Sequence, residues 1–376
     1  MLRHHILAFF AVLLLIATPV MAATTTPEDL PLGQLLLVGF AGSEIDEGHP
    51  ILQDIGERHL GGVILFNYGP NRKHPADNIV SPGQLRRLTT RLQKASGDTP
   101  LLIAVDQEGG RISRLKEDAG FPATMSFAAL GNKNDLALTR HQADIIADSL
   151  QRAGINLNLS PVVDLNVNPS NPVIGKLQRS FSADPDMVTA HARQVIRAHH
   201  KRGILCCLKH FPGHGSSAAD SHKGFVDVTA TWSPKELRPF AALIEEGLAD
   251  TVLTAHVFNA QIDAELPATL SEKTVHGLLR QRLGFKGVVI SDDLTMGAIA
   301  DRYTLEKSVE KALNAGVDML LVADNRPDTT ARMLAVMQNL IDSGRVSRQR
   351  IVQSLQRIDT LKRELHLRSK RKTCHP

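Results

Sequence analysis

The stretch DPDMVTAHARQVIRAHHKRGILCCLKH, residues 184–210, carries both ends of a helix and the strand that follows it. Asp184 and Pro185 place an N-cap and a first-turn proline ahead of a helix over residues 187–200, and Gly203 stops it. Residues 204–208 are then apolar at every position and end on Lys209-His210. Such a run, continuous instead of alternating, is what a parallel strand buried on both faces requires. Outward from this unit the same pattern recurs. Apolar runs cover residues 62–66, ending at Asn67; 101–105, at Asp106; and 155–159, with Asp164 shortly behind. Further runs cover 251–255, ending at His256; 287–290, at Ser291-Asp292; and 319–322, with Asp324 just beyond. Between them, Ser233-Pro234-Lys235-Glu236 has the spacing of a capping box, and Thr304 opens a helical pattern that Gly316 closes. Seven strand–loop–helix units without a Pro-, Gly- or Ser-rich linker predict one α/β domain. The expected fold is a single (β/α)8 TIM-type barrel, irregular at one strand because the eighth is not evident; an open doubly wound sheet is the alternative.

The composition agrees with one large core. The chain has 376 residues, 43% apolar and 22% charged, which sets aside disorder and a small disulfide scaffold. The formal net charge of +4 is concentrated in residues 361–376, where six Lys and Arg face only Glu364. The body is near neutral, so no nucleic-acid partner is expected, and the basic tail reads as a solvated, frayed end. At the other terminus Arg3, His4 and His5 precede an apolar run, Pro19 breaks it, and Val20-Met21-Ala22 offers a small-residue cleavage site. Residues 1–22 are therefore expected to be a signal peptide, residues 23–360 the barrel, and the mature protein periplasmic or secreted. The apolar run is too short for a stable membrane span, which takes about 20 residues. Cys206 and Cys207, neighbours on a strand, are expected to be packing residues, with Cys374 in the tail. No nucleotide is indicated: there is neither a Gly-x-Gly-x-x-Gly after the first strand nor a Walker loop.

Polar residues at the C-terminal ends of barrel strands converge on one mouth, which makes Asp106, Lys209, His210, His256, Asp292 and Asp324 candidates. The segment from Lys209 to His222 holds His210, His214, Asp220 and His222. A metal centre built on these four is one reading, but Pro212-Gly213 breaks the helix that the His210/His214 spacing would need. The other is an Asp220–His222 pair, in which a carboxylate fixes the imidazole tautomer and yields a general acid/base. Helix-end His199 and His200 are expected to complement the helix dipole. With one Trp and two Tyr, a long aromatic sugar-stacking cleft is not expected.

Five motifs in order carry a family resemblance. They are Val105-Asp106-Gln107-Glu108-Gly109-Gly110-Arg111 through Arg114; Arg179-Ser180-Phe181; Lys209-His210-Phe211-Pro212-Gly213-His214-Gly215 with Asp220-Ser221-His222; Thr254-Ala255-His256-Val257; and Ser291-Asp292-Asp293-Leu294. Together these resemble glycoside hydrolase family 3, and within it the bacterial exo-acting β-N-acetylglucosaminidases. The resemblance implies Asp292 as nucleophile, His222 as acid/base with Asp220 as its partner, and Asp106, Arg114, Arg179, Lys209 and His210 around the sugar. It implies a retaining mechanism and no cofactor; a small carbohydrate substrate such as a muropeptide or chito-oligosaccharide, no metal and a monomeric or weakly oligomeric protein are the expectations that go with it. Between Ile174 and Arg179 the spacer is longer than the compact family motif. Three rival readings stand beside it: a phosphorylase of the same fold, the metal-dependent hydrolase, and a non-catalytic sugar receptor.

Overall fold

The computed structural model describes residues 30–67 and 78–373, with side chains up to residue 368. The expected signal peptide and Cys374 lie outside the described residues. Eight parallel strands form the barrel: β1 (Leu36–Val38), β2 (Gly62–Leu65), β3 (Leu102–Val105), β4 (Leu157–Asn158), β5 (Leu205–Phe211), β6 (Thr251–Thr254), β7 (Val288–Ile290) and β8 (Leu320–Val322). They pair in the order β7-β6-β5-β4-β3-β2-β1-β8. Closure comes from a parallel bridge between Ile290 and Met319, with Ser291 N donating to Met319 O at 2.9 Å. The expected barrel is therefore the observed fold. The strand not evident from the sequence is β1, in register with β8 at Leu36↔Leu320. It is three residues long and directly follows a 3-10 turn, Leu32–Leu35, so no helical period precedes it to mark its start.

Helices alternate with the strands: α1 (Pro50–Gly56), α2 (Pro82–Ala95), α3 (Leu136–Ala153), α4 (Pro185–Lys201), α5 (Arg238–Glu245), α6 (Lys273–Arg282), α7 (Leu305–Ala315) and α8 (Thr329–Asp342), followed by α9 (Arg348–Thr373). The end signals of α4 and α7 hold: Asp184 Oδ1 accepts from Asp186 N at 3.0 Å, Thr304 Oγ1 accepts from Lys307 N at 3.2 Å, and Gly316 closes α7 at φ 110°. Every residue of β1, β2, β3 and β7 is buried, which is the double-faced burial that their unbroken apolar runs anticipate. Each such Leu, Ile or Val contributes roughly 1.5–3 kcal/mol.

Three local expectations are corrected. Neither bond of the capping box forms: Ser233 makes no side-chain cap bond, and the Glu236 side chain turns away to accept from Gly215 N. His199 does not serve as a charge at the end of α4. It is fully buried, burial pushes its imidazole down to about 4, and its two nitrogens lie 2.8 Å from Val195 O and 2.9 Å from Asn158 Nδ2. The first half of the basic tail, residues 361–368, is not a frayed end: α9 runs through the boundary expected at residue 360. Leu361, Lys362 and Leu365 are buried, and Arg368 Nη2 donates to Asp250 Oδ1 at 2.8 Å. The tail's apolar positions are outnumbered in the sequence by Lys and Arg. Cys206 and Cys207 are buried free thiols, as expected.

Candidate active site

The segment after β3 is extended, so Asp106 and Glu108 project to one side. Lys209, near the end of β5, reaches between them, its Nζ donating at 2.7 Å to Asp106 Oδ1 and lying 2.8 Å from Glu108 Oε1. Arg179 grips Glu108 with two bonds, Nε to Oε2 at 2.8 Å and Nη2 to Oε1 at 2.7 Å, and donates to Val173 O at 3.0 Å. The long spacer before Arg179 closes into a turn, with Arg179 N donating to Ile174 O at 3.1 Å, and delivers the guanidinium to this cluster. Arg114 is the outermost member, with Nη2 3.7 Å from Asp106 Oδ2 and its guanidinium 5.4 Å from the centroid of the Phe66 ring.

Burial opposes every charge in this cluster, and the neighbours outweigh it. Lys209 and Arg114 hold the Asp106 carboxyl far below the usual range, Arg179 and Lys209 do the same for Glu108, and the two carboxylates raise Lys209 and Arg179. All four stay ionised, presenting fixed donors and acceptors at the mouth without reorganisation when a polar ligand arrives. His210 is different. Burial first, then Arg179 and Lys209, push its imidazole well down, so it is neutral. Its Nε2 accepts from Arg179 Nη2 at 3.2 Å, and its Nδ1 donates to Asp164 Oδ2 at 2.7 Å.

Asp164 lies beyond β4 and is fully buried. Besides His210 it takes the backbone N–H of His214 at 2.8 Å. The Phe211-Pro212-Gly213 turn is further fixed by the lone Trp, whose Nε1 donates to Pro212 O at 3.0 Å. His214 is also spoken for, with nitrogens 2.7 Å from Ser217 Oγ and 3.2 Å from Ser221 Oγ. With both nitrogens of His210 and His214 engaged by protein groups, the four candidate metal ligands do not converge. Among the described residues, the one group with metal-compatible spacing is His200, Cys206 and Asp250 at the other end of the barrel.

Beyond His214 the chain leaves the barrel in a loop that carries Asp220 and His222. His222 Nδ1 lies 2.8 Å from Asp220 Oδ1, and its ring is 62% exposed, so Nε2 is free to meet a ligand. Burial would raise Asp220, but its bonds to the His222 side chain and backbone leave its carboxyl below the ordinary value.

Two adjacent carboxylates follow β7. Asp293 is built into the wall: its carboxylate accepts from Thr295 N at 3.0 Å, Thr295 Oγ1 at 2.7 Å and Ala323 N at 3.1 Å. Asp292 accepts one protein bond, from Asp293 N at 2.9 Å, and is half-buried, which leaves its second oxygen available. Burial pushes its carboxyl up, but His256 first, with His222 and the Asp293 N–H, holds it below the usual range. His256 is fixed there by contacts of 2.8 Å to Thr269 Oγ1 and 2.9 Å to Asp293 O. Asp324 sits apart from the cluster, paired with Arg326.

The structure thus brings Asp106, Arg114, Arg179, Lys209 and His210 into one network and leaves Asp292 and the Asp220–His222 pair with open atoms. Sequence reasoning had passed over Glu108, Asp164 and Glu236. Period-2 spacing from Asp106 was a usable signal for Glu108 and the place of Asp164 just behind a strand was one for it; Glu236 had none, because its partner is the backbone N–H of Gly215 in a distant turn.

Comparison with known proteins follows the same lines. Residues 29–361 match the Glycosyl hydrolase family 3 N terminal domain. The Beta-hexosaminidase of Bordetella avium (strain 197N) is 36% identical over 323 residues, covering 84% of this chain and 87% of that protein. Beta-hexosaminidase A of Pseudoalteromonas piscicida is 34% identical over 342 residues, 84% of this chain but 55% of that protein, so the chain spans about half of this longer relative. Among solved structures, a glycoside hydrolase family 3 beta-N-acetylglucosaminidase from Paenibacillus sp. str. FPU-7 superposes with a TM-score of 0.82 at 36% identity, covering 89% of this chain and 62% of that one.

Proposed function

The chain belongs to glycosyl hydrolase family 3, and from that premise we propose that it is a retaining exo-β-N-acetylglucosaminidase acting on short glycans. The observation that carries the reading is the contrast at the mouth between Asp292, ionised with one oxygen uncommitted, and Asp220–His222, an exposed imidazole backed by a carboxylate. In the first step Asp292 attacks the anomeric carbon while protonated His222 gives its Nε2 proton to the departing glycosidic oxygen. Asp220 stabilises the imidazolium and holds Nδ1–H. In the second step neutral His222 takes a proton from water, whose oxygen displaces Asp292 from the anomeric carbon, and the carboxylate is regenerated. Asp106, Lys209, Arg179, His210 and Arg114 supply the donors and acceptors that orient the sugar hydroxyls and acetamido group.

The imidazole in place of a second carboxylate also suits phosphate as the second-step acceptor, since it does not repel an anion. One assay decides among these readings: turnover of aryl β-N-acetylglucosaminide against aryl β-glucoside, with and without phosphate. The expected result is cleavage of the acetamido sugar alone and free N-acetylglucosamine in both buffers. Sugar 1-phosphate would transfer the chain to the phosphorylases, and no turnover would leave the receptor reading. We also propose export, from the order of the basic, apolar and small-residue segments in residues 1–22. Mass spectrometry of the periplasmic fraction should find a start near Ala23; full-length chain confined to the cytoplasm would refute it.

A further inference from the structure

The loop that carries Asp220 and His222 leaves the barrel at Gly213 and returns at the turn Pro234–Leu237 ahead of α5. Its outgoing limb is held by residues that follow β4. Asp164 takes His214 N, Asn171 Nδ2 donates to His214 O at 2.7 Å, and Asn168 Nδ2 donates to Ser217 O at 2.8 Å. Its tip is held by Ala298 N donating to Ser221 O at 3.1 Å. Two buried side chains tie the returning limb to the outgoing one: Trp232, through its bond to Pro212 O, and Glu236. Glu236 is 1% exposed, and its Oε2 accepts from Gly215 N at 3.1 Å.

The approach is too close for any other arrangement. Gly213 has φ 122°, and a Cβ there would lie 2.6 Å from Glu236 Cβ; a Cβ on Gly215 would lie 1.7 Å from Leu165 O. Consecutive N–H groups, those of His214 and Gly215, are thus gripped by two buried carboxyls that arrive from different segments, Asp164 and Glu236. Asp220 follows five residues after Gly215 in the chain, so a small rotation of this turn is carried to the His222 ring.

The geometry points to Glu236 as a positioning residue for the acid/base pair: by closing the base of the loop it sets where His222 Nε2 meets the leaving oxygen. The inference rests on the catalytic reading of His222. Glu236 touches no substrate, and its effect is confined to the step that needs a proton delivered.

The test is kcat and KM across aryl and alkyl β-N-acetylglucosaminides of graded leaving-group pKa, for wild type, Glu236→Met and Glu236→Gln. Met keeps the volume and removes the acceptor; Gln keeps an acceptor for Gly215 N. For Glu236→Met, kcat/KM, which reports the first step alone, should fall about 10- to 100-fold on poor leaving groups and less than about 3-fold on nitrophenyl glycosides. Glu236→Gln should restore most of the loss. A uniform loss on every substrate, or none, overturns the inference. Should Glu236→Met fail to fold, Trp232→Phe cuts the other tie across the loop base and is expected to steepen the leaving-group dependence; an unchanged slope overturns the inference. Amide exchange provides a readout independent of activity, with residues 215–224 expected to exchange faster in Glu236→Met than in wild type. Unchanged exchange there refutes the tie even if the wild type proves to have no hexosaminidase activity, which would be a failure of the catalytic reading alone.

Discussion

Two aspartates at opposite ends of the barrel look alike in the sequence and differ in what surrounds them. Asp318, just before β8 at the bottom, is fully buried and accepts from Arg280, Arg350 and Arg357, from Ser354 Oγ at 2.8 Å and from Val289 N at 3.0 Å. Asp292, just after β7 at the mouth, accepts from one backbone N–H. Every lone pair of the first is used, so it holds the ends of α6 and α9 against the barrel floor and has nothing left to offer. The second is kept ionised by its neighbours while an oxygen stays open. Saturation of its hydrogen-bonding sites, more than burial or position, separates a structural carboxylate from a reactive one.

The sharpest way to break this contrast is at Asp292. Asp292→Asn should lower kcat on an aryl β-N-acetylglucosaminide by about 10^4-fold, with a thermal melt close to that of wild type, and a 2-fluoro sugar should label Asp292 and not Asp293 in the wild-type enzyme. Labelling at Asp293 would reverse the assignment. At the bottom the expected signs are exchanged. Asp318→Ala strands three guanidinium groups and should cost about 3–5 kcal/mol in urea unfolding, while kcat/KM per folded molecule stays at the wild-type value; a cost under about 1 kcal/mol would mean that saturation is no guide to structural importance.

His222→Ala should lose about 10^2-fold in kcat/KM on alkyl glycosides and much less on nitrophenyl glycosides, with Asp220→Asn showing a milder version. A leaving-group slope no steeper than wild type would remove this loop from the chemistry. The smallest effect concerns Glu236, whose carboxyl burial pushes up to about 7 although Ser216 and Gly215 pull it down. The folded chain holds this proton where the unfolded chain has released it. Its contribution to stability is full below the ordinary value of 4.5 and is lost as pH rises through about 7. Glu236→Gln should therefore gain on wild type by about 2–3 kcal/mol between pH 5 and pH 8, as read from denaturant unfolding at each pH. Parallel pH curves for the two proteins would show that Glu236 titrates normally.

Much of this was legible because local patterns carry it. Continuous apolar runs ending in polar residues marked seven of the eight strands, and since any (β/α)8 barrel gathers its strand ends, Asp106, Lys209, His210 and Asp292 could be assigned to one mouth before any contact was known. The short β1 escaped because three residues after a 3-10 turn have no period to detect. The tail was misjudged because its Lys and Arg outnumber the Leu361 and Leu365 stripe that docks it. The capping-box spacing at Ser233 was present, but the buried N–H of Gly215 is a more demanding partner for Glu236 than an exposed helix end.

By itself, then, the sequence determined the barrel, most of the residues at its mouth and the Asp220–His222 spacing, because strand period, helix caps and two-residue spacing act over short lengths of chain. Tertiary structure alone decided which charges neutralise one another. Glu108 is shared by Lys209 and Arg179, Asp164 and Glu236 divide the backbone of the His214 turn, and Asp293 is consumed by Thr295 and Ala323 while Asp292 is not. Those partners lie tens of residues apart in most cases, and desolvation, which makes each pairing obligatory, exists only once the chain has closed around them.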